Sequence, residues 1–322
     1  MEYVKGEKAG KKEKAADMKS HKGKRSYSVE RKKQTWAYIF IAIPLLYFMV
    51  FRIFPTLYSF NISMRKWDLL SQNKPFVGFD NFKTLFGNEV FRIAMLNTLE
   101  YVLVGVPIIL ALSLSIALLL NSITRGTGLY RMLIFIPYVT STVAVSWVWR
   151  WMFMKQGGVI NSILILLGFA SQPFLDSTTQ SLYVVMANIV WQSIGFYTII
   201  LVAGLKQIPG SYYEAAGIDG ASAWVKFRRI TIPLLNPTIV YVAIISTINT
   251  LQVFTQVYNI TGGNTGNAGG PLNSSTSIVL HIYNLAFRNY NMGLASAATV
   301  LLFIIILIIT IIQMKVLTKE IE

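Results

Sequence analysis

The sequence predicts an all-α integral membrane protein with six core transmembrane helices. Three observations carry that expectation. Of 322 residues, 54% are hydrophobic and only 13% charged, against about 25% charged in soluble domains. Six apolar runs approach or reach the roughly 17–25 residues that a spanning helix needs. Lys and Arg lie mainly on one side of those runs, the asymmetry that orients a multispan protein. The formal net charge of +15 therefore sets topology, and no nucleic-acid partner is expected, because the charge is not gathered into a binding face. There is no cysteine, which removes disulfides and thiolate metal sites. His21 and His281 fall in a basic tail and a polar loop with nothing at metal-ligand spacing, so no metal site is expected.

Taken in order, residues 1–33 hold twelve Lys/Arg and five Asp/Glu. They read as a solvated basic tail preceding a transmembrane domain at 34–322. The first span runs from Trp36 to about Phe54. A basic stretch before an apolar run looks like a signal peptide, but no small-x-small cleavage site follows, and an uncleaved signal anchor is expected. From Ser59 to Met95 the chain is mixed, and Phe82, Leu85 and Phe86 at helical spacing suggest a short helix on the outer membrane surface. The second span extends from about Thr98 to Leu120 with a kink at Pro107. Asn121 to Leu129 is a tight turn. The third span runs from Tyr130 to Met152, contains Pro137, and ends in an aromatic belt of Trp147, Trp149 and Trp151. Gly157 to Ala170 is apolar but too short to span, so it lies on or dips into the outer surface. Leu182 to Gly204 is the fourth span. The fifth begins after Pro237 and reaches about Tyr258, the glycine-rich loop Thr261–Ser277 follows, and Met292 to Met314 is the sixth.

With both termini on one side, the inner segments hold twenty Lys/Arg and the outer segments seven, with Arg52 and Arg150 at outer ends. That imbalance places both termini, and the stretch between the fourth and fifth spans, in the cytoplasm. The stretch, Tyr212 to Pro237, is polar and basic. Ser211 and Glu214 have capping-box spacing, Asp219-Gly220 signals a turn, and Trp224, Phe227 and Ile230 mark a second amphipathic turn stopped near Pro233. The local reading is a helix–turn–helix elbow carrying Lys226, Arg228 and Arg229.

Glu214-Ala215-Ala216, then Gly220, then Ile230-x-Ile232-Pro233 resembles the EAA coupling loop of bacterial ABC-importer permeases; only Ile232, where Leu is usual, departs from it. The resemblance spans roughly residues 36 to 318 and is similar to the maltose-type sugar and glycerol-phosphate importers. Gly78-Phe79-Asp80-Asn81-Phe82, Leu205-Lys206-Gln207-Ile208-Pro209 and Thr261-Gly262-Gly263 also fit that subfamily. It implies a type I ABC-importer permease architecture, with residues 205–237 as the cytoplasmic EAA coupling elbow and Glu214, Ala215, Ala216, Asp219 and Gly220 meeting a partner ATPase. It further implies a heterodimer with a second permease subunit, a dimer of ATP-binding subunits, an extracytoplasmic solute-binding protein and a bacterial cytoplasmic membrane. ATP and Mg would be bound by the ATPase, with no cofactor on this chain. The Gly262–Gly270 loop would face the solute-binding protein.

Polar residues within spans are the remaining signal. Asn188, Gln192 and Ser193 lie in the fourth span, and Asn249, Gln252 and Gln256 share one face of the fifth at i, i+3 and i+7. Buried amides in hydrocarbon need partners or a watery cavity. They act either as interhelical hydrogen-bond glue or as a path for a hydroxyl-rich solute. The resemblance favours the path, formed by Asn249, Gln252, Gln256 and Asn188 with Trp191, Gln192, Ser193, Phe196 and Tyr197. Oligosaccharide is expected over glycerol phosphate because no basic residue lies mid-span. A membrane-embedded enzyme would need an acidic or histidine cluster at a span end, and none is present. An ion-coupled secondary transporter would bury ionisable groups mid-span, and only Glu100, near one end, comes close. The chain is therefore not expected to be an enzyme.

Overall fold

The computed structural model describes residues 33–123, 125–262 and 268–317. The expected basic tail up to Lys32, the middle of the glycine-rich loop and Lys319 lie outside the described residues. Contacts divide the chain into a first unit, residues 1–59, and a second, 60–322. Helix α1, Lys33–Ser63, is long and apolar enough to span, and none of its residues in the first unit is buried.

In the second unit the helices follow as α2 (Asp80–Gly87), α3 (Glu89–Ser122), α4 (Thr127–Val139), α5 (Thr142–Met152), α6 (Val159–Leu166), α7 (Ser181–Leu205), α8 (Gly210–Ile218), α9 (Ala223–Leu251), α10 (Thr255–Thr261), α11 (Ile278–Tyr283) and α12 (Met292–Leu317). Among the described residues, β-structure is limited to the isolated bridges Arg65–Phe76 and Asp68–Asn291. Five helices (α1, α3, α7, α9 and α12) can each cross a membrane by length and composition, and α4 with α5 makes a sixth only as a broken pair.

Proline explains most departures from straight spans. A helical proline has no N–H for the carbonyl four residues back, and its ring collides with that carbonyl. Three prolines are met by the same device, a wide π turn just upstream. Met49–Ile53 precedes Pro55, Tyr101–Gly105 precedes Pro107, and Phe227–Thr231 precedes Pro233. The Phe54 and Ile232 amides reach carbonyls five residues back, at Met49 and Phe227. Pro107 therefore sits in an unbroken helix that begins at Glu89, leaving Glu100 well inside it. Pro233 does not stop the elbow's second helix either, for α9 runs through both Pro233 and Pro237 to Leu251. The fifth span thus begins and ends earlier than the sequence suggests.

Pro137 has no such turn before it. Three residues on, Thr140 is extended (ψ 144°), and its hydroxyl closes the end of α4 on the Ile136 carbonyl at 2.8 Å. α5 leaves at 87° to α4. The expected continuous third span is therefore two helices meeting at a bend.

α7 is the centre of the second unit, with 61% of its apolar window buried. It packs on α3, α4, α9 and α10, with Tyr101, Ile109, Val185, Leu201, Leu235 and Val257 in one apolar cluster. Gly195 lets the α4 backbone approach, since a Cβ there would run into the Ile134 carbonyl oxygen. A second cluster joins Leu85, Phe91, Ile278, Ala295 and Ala298. Leu85 is thus buried (1% exposed) and α2 packs on α12, so only part of α2, including Phe86, is free to meet a membrane surface. Trp149 is likewise not a belt residue: it stacks on Phe153, while Trp147 and Trp151 are exposed.

The glycine-rich segment also turns inward where it is described. Ser275, Thr276 and Ser277 are wholly buried. Asn97 Nδ2 donates to the Asn273 and Thr276 carbonyls at 2.9 and 3.1 Å, and the Tyr101 hydroxyl donates to the Ser275 carbonyl at 3.0 Å. Gly269 and Gly270 have positive φ, and side chains there would strike Thr276 and Ser275. His281, expected in a loop, is buried in α11 against Phe91 with no partner for Nε2. Burial pushes its pKa down to about 4.

Two expectations follow. Gly195→Leu should force α4 off α7 at a cost of about 1–3 kcal/mol. The midpoint of thermal aggregation in detergent would fall, whereas Gly87→Ala, with open space around it, would leave it in place. For His281 the unfolded chain takes up a proton near pH 6.5 and the folded chain only near 4. Stability is therefore lost as pH falls through that window, by up to about 3 kcal/mol. His281→Leu should remove that component, read as a flatter melting temperature between pH 7 and 4.5 than the parent shows.

Candidate functional site

The elbow is built by α8 and the first turns of α9. Pro209 is extended (ψ 134°) and takes the N-cap position, so the helix already includes Gly210 and Ser211. Ser211 is therefore not the cap, and the capping box with Glu214 is not formed; proline, with no N–H to satisfy, suits the place where the helix must begin. Glu214 instead curls back toward the first turn, its Oε1 4.0 Å from where a Gly210 Cβ would lie. A carboxylate there is favoured by the helix dipole.

The far end of α8 explains the spacing of Ala216 and Gly220. The Ala221 amide donates to the Ala216 carbonyl at 2.9 Å, and the Gly220 amide to the Gly217 carbonyl at 3.1 Å. This is a Schellman closure, which requires a left-handed residue between; Gly220 supplies it at φ +72°. Asp219 is the C-cap. Ser222 then caps α9, its Oγ accepting from the Val225 amide at 3.4 Å, a role that the Ala-Ser-Ala context concealed.

Two contacts fasten the elbow. The Tyr213 and Thr231 hydroxyls are 3.0 Å apart, and Lys226 Nζ lies 3.3 Å from the position of a Gly217 Cβ, beside the C-terminal end of α8 where a cation is favoured. Glu214, Ala215, Asp219 and Gly220 are exposed, Ala216 half-buried, and Ile218 is 89% exposed at the tip. Beyond the elbow, Asn236 Nδ2 donates to the Leu317 carbonyl at the end of α12 (3.1 Å).

The polar residues form a seam along α7. Gln192 is its hub: Nε2 donates to Thr142 Oγ1 at 3.1 Å, and Oε1 accepts from Gln256 Nε2 at 3.3 Å. Asn249 Nδ2 donates to the Tyr197 hydroxyl at 3.1 Å. Phe196 stacks on Tyr138 (centroids 4.5 Å, 10°), and the ring of Trp191 lies 5.8 Å from that of Trp149. Ser193 is half-buried beside them.

The expected single face of Asn249, Gln252 and Gln256 is not present. α9 ends at Leu251, Gln252 is its C-cap, and Gln256 belongs to α10. The break nevertheless leaves Asn249 and Gln252 exposed and sends Gln256 to Gln192. Asn188 is fully buried with neither amide atom paired. Thr142 and Tyr138 were not picked out from sequence; the Thr140-Ser141-Thr142 hydroxyl run just after Pro137 was the available signal. No group of three metal-ligating side chains occurs among the described residues.

An α-helical bundle with spanning helices and a basic elbow between two of them is an architecture found in membrane transport components. Residues 101–322 match the family model described as the binding-protein-dependent transport system inner membrane component, and the chain belongs to that family. It is 36% identical over 295 residues to a probable ABC transporter permease protein, YesP, of Bacillus subtilis, covering 91% of this chain and 93% of that one. With the trehalose/maltose transport system permease protein MalF of Thermococcus litoralis it shares 35% over 282 residues, or 87% and 92% of the two chains. The fold is similar to a chain of a bacterial alginate ABC transporter solved in complex with an alginate pentasaccharide-bound periplasmic protein. There the TM-score is 0.75 at 23% identity, covering 87% and 93%. The chain is a permease of the inner membrane, a transport component and not an enzyme.

If the Asn249–Tyr197 pair lines the path, Asn249→Leu should slow transport by up to about tenfold, the equivalent of one hydrogen bond of about 0.5–1.5 kcal/mol. The ranking of several sugars should change with it, measured per assembled complex. An unaltered ranking with only a lower melting temperature would reduce the pair to interhelical glue.

Proposed function

We propose that the chain is one permease half of an ATP-driven importer that moves an oligosaccharide by alternating access. It pairs with a second permease subunit and is served by two ATP-binding subunits and an extracytoplasmic solute-binding protein. ATP and Mg are bound by the ATP-binding subunits, and this chain binds no cofactor. The names of the relatives support the solute class: one is a trehalose/maltose permease, and a structural neighbour was solved with a pentasaccharide-loaded periplasmic protein. The excess of Lys and Arg on one side supports cytoplasmic termini and a cytoplasmic elbow.

The observation that carries the coupling role is the exposed, rigidly closed elbow between two spans. Ile218 stands out at its tip, a large apolar side chain that is almost wholly exposed. An exposed apolar residue on a well-ordered turn suits a cleft on another protein. Glu214, Ala215, Ala216, Asp219 and Gly220 shape the element that would dock. Closure of the ATP-binding subunits would push α8, and the Tyr213–Thr231 contact would pass the displacement to α9. α9 carries Asn249 at its other end, so the same push would reach the seam, where Asn188, Trp191, Gln192, Ser193, Phe196, Tyr197, Gln252 and Gln256 complete the solute path.

Gly220 offers the test. Val there is strained by about 1–2 kcal/mol in the left-handed region, while Asn tolerates it; no atom lies within 4 Å of the new Cβ, so crowding within the chain does not enter. In reconstituted complexes Gly220→Val should lose most solute-stimulated ATP hydrolysis, and Gly220→Asn should keep it. Full stimulation in the Val variant would show that the elbow does not couple the two subunits.

A further inference from the structure

α9 packs on α3, α7 and α12 and bares one stripe between Pro237 and Gln252. Pro237, Tyr241, Asn249 and Gln252 are its exposed members. With 3.6 residues per turn, Tyr241, Ile245, Asn249 and Gln252 fall within about 80° of one another. Val242, Ala243, Ser246 and Thr247, on the other faces, are buried. Tyr241 is 52% exposed and stands near the middle of the 20-residue stretch Ile232–Leu251. Its hydroxyl has no hydrogen-bond partner among the described residues. Tyrosines that anchor a span in the headgroups sit at its ends. At mid-depth a hydroxyl turned to hydrocarbon is left unsatisfied at a cost, so the stripe is built to face water or a polar solute. It also joins the seam. The Tyr197 hydroxyl, held by Asn249 at 3.1 Å, has Tyr241 as an electrostatic neighbour.

We propose that Tyr241 lines the cytoplasmic exit of the solute path, the next station after the Asn249–Tyr197 pair for a hydroxyl-rich solute. The inference rests on the importer reading given above, with the elbow in the cytoplasm, and extends the path beyond the residues assigned to it there. At about 1.5 Å per residue, Tyr241 lies about 12 Å from Asn249 in the direction of the elbow. Between them only Ile245 and Ile248 come to the stripe, so a solute leaving Asn249 crosses an apolar step and then meets a tyrosine. Tyrosine suits that place. Its ring can receive the apolar face of a sugar, and its hydroxyl both donates and accepts. One such contact is a foothold and not a binding site, as release requires, because a strong station here would hold the solute back. The chain from Thr231 to Tyr241 is unbroken helix. A push delivered through the Tyr213–Thr231 contact would therefore move Tyr241 as well, and the exit would open or close with the elbow.

The test uses the full-length chain with the subunits that accompany it, in membrane vesicles whose cytoplasmic face is outward. The chain has no cysteine, so Tyr241→Cys gives it a single thiol. The probe is the membrane-impermeant reagent sulfonatoethyl methanethiosulfonate, and its adduct is read by mass on this chain alone. Leu307→Cys, on α12 and 47% exposed, supplies the apolar reference. A thiol ionises readily in water and poorly in apolar surroundings, so the Tyr241→Cys variant should react at least about tenfold faster than the Leu307→Cys variant. ATP with vanadate, which holds the ATP-binding subunits closed, should slow that reaction several-fold. Ile245→Cys, on the same stripe, should respond alike and serves in place of Tyr241→Cys if the latter does not assemble. Reaction no faster than at the reference, or a rate that ATP and vanadate leave unchanged, would overturn the exit. The same vesicles are solubilised and scored for a co-purifying ATP-binding subunit. Its absence would count against the importer reading, whereas a complete complex with an unreactive stripe would count against the exit alone.

Discussion

A helix crossing hydrocarbon has to satisfy its own backbone, because no water is available to accept or donate there. That constraint decides how this chain can use proline. At Pro55, Pro107 and Pro233 the loss of an N–H is absorbed by a wide turn placed just upstream, and the helices continue. At Pro137 no such turn forms, and the helix closes on the Thr140 hydroxyl and restarts at Thr142 in a different direction. One chemical problem thus has two outcomes, an uninterrupted span or a bent pair. The bent pair brings Thr142 within 3.1 Å of Gln192.

The two candidate regions share α9. Its 29 residues extend roughly 40 Å at about 1.5 Å per residue. Near one end Thr231 meets Tyr213 of the elbow, and near the other Asn249 meets Tyr197 of α7. Every intervening turn is helical, so there is no loop between elbow and seam in which a displacement could be lost. α7 is the fixed counterpart. It is the most buried of the spanning helices, tied to α3 by the Ser113 and Thr198 hydroxyls and to α4 by the close backbone approach at Gly195.

Apolar run lengths and the Lys/Arg asymmetry were sufficient to read an all-helical membrane protein, because hydrocarbon thickness imposes its length on any sequence, and the spaced pattern from Glu214 to Pro233 was sufficient to read its family. The turn at Gly220 was legible for a similar reason, since few residues tolerate its φ. The finer features were not. Nothing in residues 101–105 or 227–231 distinguishes a wide turn from ordinary helix, since the signal is the proline that follows and Pro137 shows the same signal with the opposite result. The i, i+3, i+7 spacing of Asn249, Gln252 and Gln256 implied one face only as long as the helix was continuous. The break at Gln252 depends on packing of α10 against α5 and α7, residues more than fifty positions away in the chain. Ser211 lost its capping role to Pro209 because the helix started two residues early. The burial of His281 and Ser275–Ser277 likewise depends on Phe91, Asn97 and Tyr101, which no local pattern connects to them.

The bond from Asn236 to the Leu317 carbonyl ties the end of α12 to α9. The chain contains no cysteine, so a single thiol introduced at the exposed Val316, in the last turn of α12, would be the sole site for a spin or fluorescent label. Such a label would ride with the helix that carries the elbow while leaving every exposed elbow residue untouched. Distances from it to a second reporter on α7 would show whether α9 moves against α7 when ATP is added to an assembled complex, with the elbow surface left unaltered.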